Sequence, residues 1–215
     1  MPYRTIPFVD GEYYHLFNRG LQKQIIFNDQ RDYKRFIQAF FYYQIQNPKP
    51  KLSLYKQSKI FPMDTTKKIV DILCFCLMPN HFHLLVKQIK DGGISEFMRR
   101  FTHSYTKYHN LKHNHQGPVF QGMFKAVRVE TDEQLIHLSR YIHLNPLVSF
   151  LVKNLDFYTW SSYHSFLNSN NIYPLAKEEI LKFFAKPEDY KQFVMDQAEY
   201  GKTLEQIKHL IIDYE

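Results

Sequence analysis

Apolar and polar residues alternate along residues 12–17, and the Asn18-Arg-Gly20 that follows has turn chemistry, so this stretch predicts a first β-strand. The period then changes. Between Asp29 and Ile45 the residues Tyr33, Phe36, Ile37, Phe40, Phe41 and Ile45 recur at helical spacing, which predicts a helix packed by one face and stopped by Asn47-Pro48. Residues 48–68 are polar and lysine-rich with no sustained period, and read as a connection. Two apolar runs, 69–77 and 81–89, flank Met78-Pro-Asn80 and predict a β-hairpin closed by Asp91-Gly-Gly93. Ile94, Phe97, Met98, Phe101, Tyr105 and Tyr108 then mark one face of a second helix, and residues 124–130 alternate as a further strand. Thr131 and Gln134 form a capping box for a third helix, which Pro146 is expected to end. A hydrophobic stretch over 157–163 is expected to cover the domain, and short helical patterns occupy 177–184 and 187–200. The organisation expected is one domain over residues 1–165 and a helical C-terminal extension over 166–215.

The alternation has a chemical consequence in the hairpin. If residues 81–89 form a strand, Phe82, Leu84 and Val86 share one face, and His81 and His83 point together from the other. Two imidazoles so placed can hold a divalent cation, and they can equally be hydrogen-bonded residues of a core. On the third helix Tyr141 and Asn145 are four residues apart and share a face. A phenol, with a reference pKa of about 10, needs a neighbouring cation or base before it attacks anything. Asn145 adds a neutral oxygen to the two imidazoles, a donor set suited to Mg²⁺ or Mn²⁺ as Lewis acid, with Zn²⁺ left open by spacing alone. His113 and His115 repeat the His-x-His spacing in a polar stretch with no apolar strand around it, which predicts a solvated loop and no second metal site.

Composition adds a partner class. Lys and Arg outnumber Asp and Glu by 28 to 21, a net charge of +7 that favours polyanions. Arg100, His103 and Lys107 project together from the second helix with Arg99 and His109 nearby, a face suited to phosphates, and Lys125 stands on the strand that follows. Lysines 49, 51, 56, 59, 67 and 68 in the connection read as a solvated surface. Aromatic residues make up 17% of the chain; most are expected in the core, and the remainder could stack on exposed bases. The only cysteines, Cys74 and Cys76, are too close on one strand face for an ordinary bridge and point to a reducing compartment. With no signal-peptide pattern and no apolar run of membrane-spanning length, a cytoplasmic protein working at the nucleoid, with no membrane partner, is expected.

Five motifs then occur in order: Tyr14-His-Leu-Phe-Asn-Arg-Gly20, Met78-Pro-Asn-His-Phe-His-Leu-Leu-Val86, Gly117-Pro-Val-Phe-Gln-Gly-Met-Phe-Lys125, Arg140-Tyr-Ile-His-Leu-Asn-Pro146 and Tyr158-Thr-Trp-Ser-Ser-Tyr163. Together they resemble the single-tyrosine HUH transposases of bacterial insertion sequences, and in particular their REP-associated branch. The resemblance implies an α+β, ferredoxin-like antiparallel sheet with helices packed on it. It implies His81 and His83 as metal ligands, Tyr141 as nucleophile and Asn145 as the amide that assists the metal. The reaction implied is cleavage and rejoining of single-stranded or hairpin DNA, through a 5′-phosphotyrosine link and a free 3′-hydroxyl, in DNA transposition. Arg19, Arg99, Arg100, Lys107 and Lys125 are the candidate DNA contacts. Members act as monomers or as homodimers that exchange the tyrosine helix, and the chain fits either. Met123 stands where the family usually carries Arg, the 48–68 connection does not map onto the family's pattern, and Gly11-Glu-Tyr-Tyr14 matches the REP-associated motif only loosely. Two rival readings remain at this point: a DNA-binding protein without cleavage, and a metallonuclease that uses water.

Overall fold

The computed structural model describes residues 7–48, 52, 67–167 and 173–203. Most of the lysine-rich connection, including Lys49, Lys51, Lys56 and Lys59, lies outside the described residues. The order of elements is β1 (Tyr13–Arg19), α1 (Gln30–Tyr43), β2 (Val70–Met78), β3 (His81–Gln88), α2 (Gly93–His113), β4 (Lys125–Val129), α3 (Asp132–Val148), α4 (Tyr163–Leu167), α5 (Glu178–Leu181) and α6 (Pro187–Met195). The strands form one antiparallel sheet in the order β2-β3-β1-β4. Two β-α-β crossovers interleave in that order, which is the ferredoxin-like arrangement the motifs imply.

The alternation of each strand divides its side chains between two cores. Tyr14 and Leu16 of β1, Phe75 and Leu77 of β2, and Phe82, Leu84 and Val86 of β3 pack with Phe36, Phe40, Phe97, Phe101 and Tyr105 of α1 and α2. Cys74, Cys76 and Leu85 point the other way and pack with Leu135, Ile142 and Leu147 of α3 and with Ile180, Tyr190 and Val194 of α5 and α6. The C-terminal helices therefore bury their apolar faces in the same core as the tyrosine helix. The outer edge of β2 is closed by main-chain bonds from Leu77 N–H to the Trp160 carbonyl (2.9 Å) and from Ser162 N–H to the Phe75 carbonyl (3.0 Å). This is the cover expected of the 157–163 stretch, and it removes an exposed strand edge.

Three local readings change. The second helix runs on through His113, ending where Asn114 takes the left-handed conformation (φ 49°), which Asn tolerates better than most residues. His113 is thus no loop residue: its Nε2 lies 3.0 Å from Asp32 Oδ2, and Lys112 reaches both Asp29 and Asp32 at 2.7 Å, tying α2 to α1. The third helix passes through Pro146 to Val148. A proline this near a helix end forfeits one hydrogen bond, and its carbonyl still accepts from Leu151 N–H (3.0 Å) and Val152 N–H (3.2 Å). Finally, β1 extends two residues past Phe17 to Arg19, because Asn18 and Arg19 pair with Phe82 and His81 of β3.

Candidate active site

β3 is an inner strand, so His81 and His83 emerge on the α3 side of the sheet with neighbours on both flanks. Their rings stand perpendicular, 5.0 Å apart between centroids. His81 Nδ1 lies 2.7 Å from Asn80 Oδ1 in the hairpin turn. His83 is 6% exposed, and its Nδ1 lies 2.9 Å from Nε2 of His15 on β1. Burial holds His83 well below the usual imidazole pKa, with His81 and His15 adding to the effect, and burial lowers His15 to about 4. At neutral pH both rings are therefore uncharged, the form in which imidazole donates a lone pair.

α3 brings the other half of the site. Its N-terminus is held by the capping box: Thr131 Oγ1 accepts from Gln134 N–H at 3.1 Å, and Gln134 Oε1 accepts from Glu130 N–H at 2.8 Å. His143, fully buried, bridges the Tyr190 hydroxyl (2.7 Å) and Ser162 Oγ (2.8 Å), and Ser162 Oγ in turn accepts from Phe75 N–H (2.8 Å). That chain of bonds locks the helix to β2 and α6, and so sets the rotation at which Tyr141 and Asn145 leave it. Tyr141 is 52% exposed, with its ring edge-on to His83 at 5.5 Å and to His15 at 6.2 Å. Tyr141 and Asn145 line, with His81 and Arg140, a cleft of about 450 Å³ whose far wall is Gln197, Tyr200 and Gly201.

All four residues named from sequence as the catalytic and metal set, His81, His83, Tyr141 and Asn145, meet at this one place. The expected DNA contacts divide. Arg19 pairs with His81 and Lys125 pairs with Phe17, which pairs with His83, so both sit on the site face of the sheet. Arg99, Arg100 and Lys107 lie across the sheet, in a groove of about 930 Å³ between α1 and α2 that Arg35, His103, Tyr43 and Tyr108 also line. Arg100 is partly committed there, with Glu96 at 2.7 Å. Met123 is 57% exposed.

Two neighbours of the site had no role assigned from sequence. His15 has the same half-strand alternation as Phe17, but its relevance needs the pairing of β1 with β3. Arg140 precedes Tyr141; its guanidinium lies 4.3 Å from the centre of the Phe193 ring and places a cation in the cleft wall.

Residues 54–145 match the IS200-like transposase family. The match begins before β2 and stops at Asn145, so it takes in both β3 histidines and Tyr141 and leaves out β1 and everything after the site. By fold, the chain is similar to a solved REP-associated tyrosine transposase bound to a REP hairpin, at a TM-score of 0.53 and 16% identity over 81% of this chain and 88% of that one. At that identity the likeness concerns the fold. No curated protein matches the chain.

The donor chemistry of this site suits a hard or borderline divalent ion. Asn80 Oδ1 can only accept, so His81 donates from Nδ1 and carries its lone pair on Nε2. Among the described residues there is no cluster of three or more His, Cys, Asp and Glu side chains able to hold a metal; the set here is two imidazoles and an amide. Among the described residues no helix is long and apolar enough to cross a membrane.

Proposed function

We propose that the protein is a DNA strand transferase of the IS200-like kind, cleaving and rejoining single-stranded DNA beside a hairpin through Tyr141. The observation that carries this reading is the meeting of an exposed tyrosine with two imidazoles and an amide at one place, within the segment that matches the transposase family. His81 and His83 would hold a Mg²⁺ or Mn²⁺ ion, with the Asn145 oxygen beside it. Such an ion, when bound, polarises a phosphoryl oxygen as a Lewis acid.

The chain's own residues then divide the work. The Tyr141 oxygen forms a bond to phosphorus, the bond to the 3′-oxygen breaks, and the phenolic proton ends on that oxygen as a 3′-hydroxyl. The products are a 5′-phosphotyrosine and a free 3′ end, and because one phosphodiester replaces another, reversal rejoins the strand with no further energy source. Arg19 and Lys125 on the site face, and Arg140 in the cleft wall, are placed to neutralise the strand near the cut. Arg99, Arg100 and Lys107 would engage backbone phosphates farther along the DNA. A hairpin is the substrate chosen because the fold relative described above was solved on one.

The test is incubation with end-labelled hairpin single-stranded DNA and Mn²⁺. A covalent adduct is expected that disappears with Tyr141→Phe and with chelation of the metal. An adduct surviving Tyr141→Phe overturns the assignment, cleavage without adduct indicates a water nucleophile, and binding without either indicates a DNA-binding protein.

A further inference from the structure

His15 lies on β1, outside the segment that matches the transposase family, and reaches the site only through tertiary pairing. Phe17 is the residue directly opposite His83, and His15 takes the diagonal position two residues away, where its ring lies against that of His83 with centroids 5.1 Å apart and planes 24° apart. The contact that matters is polar: His15 Nε2 to His83 Nδ1, 2.9 Å.

An N···N hydrogen bond needs one N–H and one lone pair, so the two rings share a single proton along this line. If His15 donated, His83 would accept on Nδ1, and a neutral His83 would then carry its own proton on Nε2 with no lone pair left for a cation. If His83 donates, its Nε2 is the lone-pair nitrogen. Only the second arrangement makes His83 a ligand, and it is the arrangement that Asn80 imposes on His81. His15 is not itself a third ligand through that nitrogen, because a nitrogen accepting from His83 has no second lone pair to offer. We propose that His15 is a positioning residue, accepting the Nδ1 proton of His83 so that His83 presents Nε2 beside Tyr141. This rests on the reading of His81 and His83 as a cation site. Partners of ligating imidazoles are worth about 10–100-fold in metal affinity.

The experiment has two readouts that do not require DNA cleavage. Nitrogen-15 NMR of the metal-free protein reports which ring nitrogen of His83 is protonated, and isothermal titration with Mn²⁺ alone reports affinity. Wild-type protein is expected to show His83 protonated at Nδ1. His15→Phe keeps the ring volume and is expected to weaken Mn²⁺ binding about 10–100-fold. His15→Gln places an amide oxygen four bonds from Cα, as far out as Nε2, and is expected to restore most of the loss. Protonation of His83 at Nε2 in the wild type, or unchanged Mn²⁺ affinity in His15→Phe, overturns the proposal. If the wild type takes up no Mn²⁺, the metal reading of the site falls, and the tautomer measurement still decides the role of His15.

Discussion

At the scale of single residues, the decisive ones work by what they force on a neighbour. His143 is buried between Tyr190 and Ser162, and burial pulls its pKa down to about 3. The unfolded chain, with an ordinary histidine pKa of about 6.5, then binds the proton that the folded state refuses between these values. The contribution is neutral above about pH 6.5 and turns against the fold as pH falls, by up to about 1.4 kcal/mol per pH unit. Urea melts at pH 7.5 and pH 5 are expected to show lower stability at pH 5, with a smaller difference in His143→Gln. An equal difference in both proteins would contradict this account. His143→Ala, which removes a partner of the Tyr190 hydroxyl and of Ser162 and leaves a void, is expected to cost about 2–4 kcal/mol at pH 7.5.

At the scale of elements, α3 carries both Tyr141 and Asn145, so its ends decide how firmly they are held. The Thr131 cap satisfies one amide at the N-terminus, and its loss costs about 1 kcal/mol in comparable helices. In a chain of this size that corresponds to about 2–4 °C in Tm. Thr131→Ala is expected to melt lower by that amount in differential scanning calorimetry while still forming the Tyr141 adduct at temperatures well below melting. The apolar joint between α1 and α2 is closed at one end by charge: Asp32, with no exposed side-chain surface, faces Lys112 and His113. Hydrogen bonds from Lys112 and from the Asn28 amide outweigh the burial of Asp32 and keep its carboxyl below the usual range.

At the scale of the whole molecule, the sheet separates two surfaces that the linear arrangement of basic residues does not distinguish. One face holds the cleft with Tyr141, flanked by Arg19 and Lys125; the other holds the α1–α2 groove with Arg99 and Lys107. DNA that touched both would pass around an edge of the domain. Replacing Arg99 and Lys107 together by Ala is expected to weaken hairpin binding and reduce the slope of log affinity against log salt by about 2, about one per lost phosphate contact. Adduct formation from DNA already bound is expected to be unchanged. A fluorescence-anisotropy salt titration with no change of slope would remove the groove from the binding surface.

The elements and the two halves of the site were legible in the linear sequence because their signals are local. Alternation places His81 and His83 on one face of a strand whatever lies beside it, and a separation of four places Tyr141 and Asn145 together on any helix. The same locality misled at Pro146 and His113, where a single residue suggested an end but burial of Leu144 and Leu147 on either side of Pro146, and the contact of His113 with Asp32, carried the helices on. Tertiary structure alone decided the rest. His15 became a neighbour of His83 through the order β2-β3-β1-β4 and the register of β1. The basic residues were parted by the choice of which sheet face α2 covers, and the cleft was closed by Gln197 and Tyr200 from far along the chain. The physical reason is one of range: periodicity states which way a side chain points from its own backbone, whereas strand order and helix packing, settled by burial over the whole chain, determine what it points at.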